Sequence, residues 1–372
     1  MSLRKNISWL LFPLTCWYAV GVWFRNVLFA LGIKKQEVPR IATIGVGNIS
    51  TGGSGKTPHV EYLLRLLSDH YRTAVLSRGY KRHTKGYLLD DGSHDPRQLG
   101  DEPAMLADKF PDVQVAVCEK RVEGVRRLMA QYRTEQGPDG EEVRISTAPQ
   151  LIILDDVFQH RHIKPTINIL LTEYHHPYSR DHILPYGNLR EFRSARHRAD
   201  IVVVSKSPAT LNPIERHNIV QELKLQNCQK LFFSYLDYLP LRTPEGHEAG
   251  VDLRLLDNIL VLTGIAHPEP LVDHLRRHTR VHHLPFPDHH DFSRHDLDLV
   301  RTAFGKLNGS KNIIVTTEKD AARLGNRLRG LPLYIQPIRV AFHQTPDMNF
   351  DQIIESTVHE NISFLEKLNI WS

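Results

Sequence analysis

The most informative stretch of the chain reads Ile41-Ala-Thr-Ile-Gly-Val-Gly-Asn-Ile-Ser-Thr-Gly-Gly-Ser-Gly-Lys-Thr-Pro58. It begins with a short apolar run that ends in glycine, which is typical of a buried strand. The later glycines allow backbone N–H groups to turn inward around an anion, which larger side chains would obstruct. A strand, a glycine-rich turn and a helix in this order predict a phosphate-binding loop and therefore a nucleotide site.

The end of the loop supplies the groups that such a site requires. Lys56 can reach the β- and γ-phosphates of a nucleotide, and the Thr57 hydroxyl is placed to hold Mg²⁺. Pro58 suits the first turn of a helix, whose N-terminus favours anions. The usual pattern has glycine where Ser50 stands, so the loop is a variant of that pattern. The residues expected to bind the nucleotide are Asn48, Ser50, Thr51, Gly52, Gly53, Ser54, Gly55, Lys56 and Thr57.

The composition is that of a globular protein of about two domains. The chain has 372 residues, of which 41% are hydrophobic and 24% are charged. A net charge of +5 suits anionic ligands, a membrane surface or nucleic acid, and it does not choose among them. Three cysteines, Cys16, Cys118 and Cys228, are too widely spaced to suggest a disulfide framework or a metal site, which fits a reducing cytoplasm.

The N-terminal segment Ile7–Phe24 has no charged residue and follows two basic ones. Its aromatic rings favour the headgroup layer of a membrane, and its length is at the lower limit for a spanning helix. Three interpretations stay open: a membrane-inserted or interfacial helix, a helix packed on its own protein, and a cleaved signal peptide. If the segment spans the membrane, the basic residues after it keep the body of the protein cytoplasmic. Three of the four tryptophans lie in it, namely Trp9, Trp17 and Trp23.

From residue 41 onward, short β-branched runs alternate with helical stretches. This alternation predicts an α/β protein of the P-loop NTPase type, with a mostly parallel sheet and helices on both faces. A second, smaller α/β domain and a closing helix follow. The expected bounds are 1–38 for the N-terminal apolar helix, 39–235 for the domain that contains the phosphate loop, 236–349 for the second domain and 350–372 for the closing helix. The expected buried strands are Thr73–Leu76, Val113–Val117, Leu151–Leu154, Thr166–Leu171 and Ile201–Val204. The second alternating series consists of Ile259–Leu262, Val281–Leu284, Ile313–Thr316 and Leu333–Ile335.

An apolar strand that ends in Asp155 and Asp156 is the expected source of acidic metal ligands. In P-loop NTPases such a carboxylate lies beside the phosphate loop and binds Mg²⁺ directly or through water. The two side chains would point to opposite sides if the strand continued through them. Gln159 and His160 follow closely, and they either orient substrate or phosphate or cap the turn.

Asp101 begins an acidic pair before a helix that is expected to start near Pro103. It suits an N-cap, but a kinase that acts on a hydroxyl also needs a carboxylate near the acceptor. Arg78 lies in a basic loop after a strand, where it either contacts an anion or is solvated. Arg121 and Arg190 are weaker candidates of the same kind. Adjacent histidines at 282–283 and 289–290 do not have a zinc-binding spacing, and scattered basic residues argue against nucleic acid.

The ordered motifs of the chain resemble those of the tetraacyldisaccharide 4′-kinase family, which acts at the inner membrane in lipid A assembly. The likeness extends over nearly the whole chain and includes the Ser50 variant of the phosphate loop. The chain departs from the family pattern at Val157, where glycine is usual, and at Phe192, where proline is common. The matching stretches are Gly47–Pro58, Ser77–Tyr80, Gly100–Pro103, Leu154–His160, Leu189–Glu191, Leu262–Ala266, Phe286–His289 and Thr317–Asp320.

The resemblance implies transfer of the ATP γ-phosphoryl group to the 4′-hydroxyl of a tetraacyldisaccharide 1-phosphate, which gives lipid IVA. It implies ATP and Mg²⁺ as cofactors and Asp101 as the base, paired with His289. The implied metal ligands are Thr57, Asp155, Asp156 and Glu191. The implied substrate-binding residues are Arg78, Arg121, Gln159, His160 and Arg190.

The implied partners are an anionic glycolipid and the cytoplasmic face of the inner membrane, with no nucleic acid and no obligate protein partner. Two other classes remain possible from the residues alone. One is a P-loop ATPase or GTPase that acts as a switch or metallochaperone without a lipid acceptor. The other is a membrane-recruited scaffold that only binds nucleotide.

Overall fold

The computed structural model describes residues 12–136, 142–288, 290–344 and 348–368, and it confirms the predicted α/β fold. The chain divides into a larger unit, Met1–Leu236 with Val340–Ser372, and a smaller unit, Asp237–Arg339. The strands, in chain order, are β1 Ala42–Asn48, β2 Thr73–Ser77, β3 Leu88–Leu89, β4 Gln114–Val117, β5 Tyr132–Gln136, β6 Glu142–Ser146, β7 Leu151–Asp155, β8 Ile167–Glu173, β9 Ile201–Ser205, β10 Lys230–Tyr238, β11 Asn258–Thr263, β12 Arg280–Pro285, β13 Asn312–Thr317, β14 Leu333–Gln336 and β15 Ile338–Phe342.

The larger unit is built on a nine-stranded sheet with the order β15-β10-β9-β8-β1-β7-β2-β4-β3. The strands from β10 to β4 in this order pair in parallel, and β3 pairs antiparallel with β4. The parallel central strands are buried because helices cover both faces. The α-helices of this unit are Phe12–Ala30, Lys56–Leu67, Pro96–Leu99, Asp101–Lys109, Arg121–Met129, Pro213–Leu223 and Phe350–Lys367, and its 3₁₀ helices are Tyr178–Arg180 and Arg193–Arg198.

The core on one face of this sheet is formed by the helix after the phosphate loop and by the closing helix. The helix Lys56–Leu67 buries apolar residues at helical spacing against β1, which positions its N-terminus at the end of that strand. The closing helix Phe350–Lys367 buries every fourth residue against the same core. These side chains are Val60, Leu63, Leu64 and Leu67 from the first helix and Phe350, Ile354, Val358 and Ile362 from the second.

The smaller unit contains a four-stranded parallel sheet with the order β12-β11-β13-β14. Alternate residues of β11 enter two separate cores, because successive side chains of a strand point to opposite faces. Ile259 and Val261 pack with Leu271 and Leu275 on one face, whereas Leu260 packs on the other. Its α-helices are Glu269–Arg276, Arg294–Gly305 and Glu318–Leu324, and its 3₁₀ helices are Leu253–Leu255 and Gly325–Leu328.

The hairpin of β5 and β6 is not among the strands predicted from the sequence. The two strands pair antiparallel, with Tyr132 opposite Ser146. Charged and polar residues occupy most of the two strands, so the hydrophobic alternation that usually indicates a strand is weak there. Backbone hydrogen bonding within the hairpin therefore determines the structure of this segment.

The N-terminal helix Phe12–Ala30 packs one side on the larger unit. The Tyr18 hydroxyl donates to the Arg190 carbonyl (3.0 Å), and Arg25 forms an ion pair with Glu191 (2.6 Å). The opposite side exposes large apolar side chains, with Trp17 78% and Trp23 58% exposed. None of the helices in the ranges given above combines the length and the apolar character that crossing a bilayer requires.

Candidate active site

Four neighbouring parallel strands bring the predicted site residues to one edge of the large sheet. β1 leads into the phosphate loop, and its Val46 lies opposite Asp155 at the end of β7. β2 lies on the other side of β7, and its Ser77 lies opposite Val117 of β4. Because the carboxyl ends of parallel strands meet at the same edge, the loop, the carboxylates and the basic loop after β2 lie together.

The phosphate loop adopts the conformation that its glycines permit. Gly52 and Gly55 have φ angles of 118° and 83°, a region that residues with side chains rarely adopt. The loop is held along its edge by two backbone hydrogen bonds, from Thr51 N to Asn188 O and from Arg190 N to Ile49 O, each 2.7 Å long. These bonds fix Arg190 beside the loop, a proximity that the sequence did not indicate.

Asp155 and Asp156 both lie at this edge, but in different surroundings. β7 ends at Asp155, and Asp156 has a φ of 49°, so the alternation that a continuing strand would impose does not apply. Asp155 is buried and accepts a hydrogen bond from Ser77 Oγ (3.0 Å). Asp156 lies 3.5 Å from Lys56 Nζ through one oxygen and 3.5 Å from Arg190 Nη1 through the other.

These surroundings move the two carboxyl pKa values in opposite directions. Burial, followed by the charges of Glu102 and Asp156, raises the pKa of Asp155 to about 6. Burial also acts on Asp156, but Lys56 and Arg190 outweigh it and hold its pKa below the usual value. At neutral pH Asp156 is therefore stabilised as an anion, whereas ionised Asp155 is destabilised until a cation approaches.

The donor set fits Mg²⁺. Asp155 Oδ1 is buried and has no hydrogen-bond partner, which is the state expected of an oxygen that faces a cation or its bound water. Thr57 is buried at the start of the adjacent helix. No cluster of three His, Cys, Asp or Glu ligands occurs in the described parts of the chain. Mg²⁺ commonly keeps several waters and takes one or two carboxylates plus substrate phosphate, so a small set is sufficient.

Glu191 does not have the geometry that the predicted metal role requires. It is 1% exposed, and its two carboxylate oxygens form ion pairs of 2.6 Å with Arg25 and Arg198. Since both oxygens are engaged by guanidinium groups, the metal role has no geometric support. The contacts instead make Glu191 a buried anchor for the N-terminal helix.

Two basic residues near the site have different surroundings: Arg121 is buried and Arg78 is exposed. Arg121 is 2% exposed and donates to the carbonyls of Cys118 and Asp155, at 2.5 and 2.8 Å. Burial lowers its pKa to about 10, so it remains charged at neutral pH. Arg78 is exposed, and its charge contributes to that lowering. Arg121 thus supports the end of β7, whereas Arg78 is accessible to a ligand.

Gln159 and His160 take part in the turn after Asp156. Gln159 accepts a hydrogen bond from Arg190 Nη1 (3.2 Å) and donates to the Asn48 carbonyl, so it joins the two sides of the loop. Burial and the charges of Arg121 and Arg78 lower the pKa of His160 to about 4. His160 is therefore neutral at physiological pH.

The prediction that Asp101 caps its helix is wrong. Gly100 occupies the N-cap position with a φ of 95°, and Asp101 is the first helical residue of Asp101–Lys109. The helix begins two residues earlier than Pro103 because Gly100 can adopt a positive φ that turns the chain there. Glu102, to which the sequence assigned no separate role, raises the pKa of Asp155, so this helix start lies near the carboxylates. His289 lies outside the described residues.

Comparisons with known proteins give one consistent family. The family model described as LpxK, tetraacyldisaccharide-1-P 4′-kinase, matches residues 7–358. A tetraacyldisaccharide 4′-kinase of Bacteroides fragilis is 42% identical over 369 residues, covering 96% of this chain and 94% of that relative. Another, from Flavobacterium johnsoniae, is 42% identical and covers 97% of this chain and 99% of the relative. A crystal structure of LpxK from Aquifex aeolicus in complex with ATP has a TM-score of 0.70 at 27% identity, with coverages of 97% and 99%.

The raised pKa of Asp155 predicts that this residue costs stability at neutral pH. In the folded state it binds a proton between pH 3.8 and about 6, where the unfolded chain has lost it, so stability falls as pH rises through that window. We expect Asp155→Asn to raise the free energy of unfolding by about 1–3 kcal/mol above that window. The gain should vanish below it, as measured by urea unfolding in EDTA.

The control for this measurement is Asp112→Asn, which changes an exposed carboxylate in the same unit. It should leave the unfolding midpoint unchanged at every pH. An Asp155→Asn protein less stable than the wild type at neutral pH would show that the carboxylate is stabilised rather than strained.

Proposed function

The chain belongs to the tetraacyldisaccharide-1-phosphate 4′-kinase family, and we propose that phosphoryl transfer takes place at the edge of its large sheet described above. The protein is a lipid A biosynthesis kinase that transfers the γ-phosphoryl group of ATP to the 4′-hydroxyl of a tetraacyldisaccharide 1-phosphate. The observation that carries the proposal is the convergence of Lys56, Asp155 and Asp156 at one sheet edge.

ATP binds, in this proposal, with its phosphates on the loop between β1 and the helix Lys56–Leu67. The positive φ angles of Gly52 and Gly55 support this role, because they allow consecutive N–H groups to face an anion. Lys56 adds a charge that is 16% exposed and already directed to Asp156. When the γ-phosphate arrives, Lys56 can bind it without leaving the site, and the lysine neutralises charge that develops during transfer.

Thr57, Asp155 and Asp156 would hold Mg²⁺, which would supply positive charge next to the phosphates during transfer. The unpartnered Oδ1 of Asp155 supports a role next to the metal. Asp156 is tied to Lys56 and Arg190, which orient its carboxylate. Ser77 fixes the other oxygen of Asp155 and so limits the directions from which a cation is bound.

Asp101 is proposed as the base, with His289 as its partner on the strength of the family resemblance. The 4′-hydroxyl gives its proton to the Asp101 carboxylate while its oxygen bonds to the γ-phosphorus. The bond between that phosphorus and the β,γ-bridging oxygen breaks, and ADP leaves. Asp101 lies in the first turn of its helix, and its neighbour Glu102 acts electrostatically on Asp155, which supports a position for Asp101 near the metal ligands.

The exposed side of the N-terminal helix is proposed to contact the cytoplasmic surface of the inner membrane. The substrate is an anionic glycolipid, so an apolar surface and nearby arginines address its acyl chains and its phosphate respectively. Indole rings favour the headgroup layer, where their apolar body and N–H are both satisfied. The exposed side chains of this surface are Phe12, Leu14, Trp17, Val20, Trp23 and Phe24.

Loss of Lys56 or Thr57 should remove nearly all kinase activity. Loss of one preorganised contact to the migrating phosphoryl group costs about 10²–10³ in rate. We expect Lys56→Ala and Thr57→Ala to show this loss in a thin-layer assay with labelled ATP and the lipid acceptor. Lys230→Ala, which changes an exposed lysine of β10, should remain active. Turnover above a tenth of the wild-type value in either site variant would contradict the assignment.

Asp101→Asn tests the proposed base. We expect kcat to fall by about 10²–10⁴ with the affinity for ATP little changed, because the amide cannot accept the proton. His289→Ala should do the same, and the double variant should be scarcely slower than either single one. Asp95→Asn is the control, since Asp95 only caps Pro96–Leu99 and asparagine caps equally well. A near-normal kcat for Asp101→Asn would exclude a role as base.

Paired substitutions on the N-terminal helix separate membrane contact from packing. Deletion of residues 1–32 would not separate these roles, because it would also remove Arg25, which forms an ion pair with the buried Glu191. We expect Trp17→Gln/Trp23→Gln to weaken binding to anionic vesicles about tenfold or more, because both rings are exposed. Activity in detergent micelles should be retained. Tyr18→Phe, which removes only the hydroxyl that donates to the Arg190 carbonyl, should bind vesicles normally. Wild-type vesicle binding by the double variant would exclude the proposed contact.

A further inference from the structure

Two buried side chains form hydrogen bonds with carbonyl groups of the phosphate loop. His59 is 5% exposed, and its Nδ1 lies 2.7 Å from the Gly55 carbonyl oxygen. Ser205, at the end of β9 and fully buried, donates its hydroxyl to the Ser54 carbonyl at 2.8 Å. The Thr172 carbonyl is a more distant acceptor for the same hydroxyl, at 3.3 Å.

The hydrogen bonds of His59 determine its tautomer. The Gly55 carbonyl can only accept, so Nδ1 carries the proton and donates it. Nε2 is then an acceptor, and it receives the hydroxyl of Ser234 at 2.9 Å. Burial lowers the pKa of His59 to about 4, so the ring is neutral across the physiological range. Both ring nitrogens thus have one defined role each.

The direction of a carbonyl fixes the direction of the next N–H. In a trans peptide the C=O and the following N–H point to opposite sides of the chain. Holding the carbonyls of Ser54 and Gly55 toward the protein interior therefore directs the N–H groups of Gly55 and Lys56 away from it. The Gly55 carbonyl also accepts a backbone hydrogen bond from His59 N at 3.2 Å, so the imidazole adds a second, shorter restraint to a glycine at positive φ.

We propose that His59 and Ser205 are positioning residues that hold these two peptide planes in the orientation that binds the ATP phosphates. The inference rests on the proposed role of the loop as the ATP site. His59 does not touch the nucleotide in this arrangement, and it acts through the Gly55 carbonyl. Ser234 lies on the opposite side of the imidazole, so its hydroxyl contributes to the position of the ring but not directly to the loop.

Asparagine and glutamine at position 59 separate the two functions of the ring. The amide nitrogen of asparagine matches Nδ1 and can donate to Gly55, whereas that of glutamine matches Nε2 and reaches Ser234 instead. We expect His59→Asn to bind ATP with a Kd within about threefold of the wild type, and His59→Gln to bind it at least about tenfold more weakly. Calorimetric titration of the full chain with Mg-ATP measures both values.

Three further measurements distinguish positioning from general structural support. Ser234→Ala removes the hydroxyl that faces the same ring but leaves the bond to Gly55, so its Kd for ATP should stay near the wild-type value. Ser205→Ala should weaken ATP binding about as much as His59→Gln, since it releases the neighbouring carbonyl. The KM for the lipid acceptor should be unchanged in every variant, because the proposed effect is on contacts with the ATP phosphates.

The opposite order of affinities would overturn the inference. The inference is also overturned if His59→Gln binds ATP as tightly as the wild type does, or if Ser234→Ala loses as much affinity for ATP as His59→Gln. Equal losses in His59→Asn and His59→Gln, with unchanged thermal unfolding, would likewise overturn it. If the wild type itself did not bind ATP, the proposed function of the loop would fail instead, which keeps the two failures distinct.

Discussion

Parallel pairing of β1 with β7, in the register that places Val46 opposite Asp155, is the constraint on which the rest of the active site depends. This register places the end of one strand, where the phosphate loop begins, beside the end of another, where the carboxylates begin. β2 on the far side of β7 then supplies Ser77 to the same point. Arg121 fixes the end of β7 by donating to the Asp155 carbonyl. Asp155 is thus carried by the end of a strand, whereas Lys56 and Thr57 lie at the start of a helix.

The electrostatics of this edge suit a site that binds a cation and an anion together. Burial and the charge of Glu102 raise the pKa of Asp155, whereas the charges of Lys56 and Arg190 lower the pKa of Asp156. A buried carboxylate with a raised pKa costs stability in the free protein, and a bound cation would remove that cost. The phosphate loop is complementary to this. Buried side chains bond to the Ser54 and Gly55 carbonyls, and in the proposed arrangement the N–H groups of the loop face an anion. In the proposed function, Mg-ATP bound at this edge would stabilise both the Asp155 carboxylate and the N–H groups of the loop.

The N-terminal helix is tied to the active-site edge by polar contacts and not only by apolar packing. Tyr18 contacts the Arg190 carbonyl and Arg25 contacts Glu191, and Arg190 also donates its backbone N–H to Ile49 at the loop. Arg190 in turn reaches Asp156. A helix with one polar, packed side and one exposed, aromatic side can therefore face a membrane while it remains part of the folded unit.

The sequence by itself determined the elements whose signals are local. The order strand, glycine-rich turn, Lys56-Thr57 and amphipathic helix predicts the loop, and β-branched runs predict the parallel sheet, because these patterns depend on residues close in the chain. The ordered motifs also identified the family, and the comparisons confirm it. The assignments of Asp101 and His289 as the catalytic pair stay predictions.

Only the tertiary structure decided which groups meet across long distances in the chain. The family resemblance implied that Glu191 is a metal ligand, but in the structure both its oxygens form ion pairs with Arg25 and Arg198. The sequence gives no signal that distinguishes His59 from other residues of its helix, and only the fold places it between Gly55 and Ser234. Such contacts depend on sheet order and side-chain direction, and a one-dimensional pattern contains neither, because the free energy of a buried polar group depends on the partners that the fold brings to it.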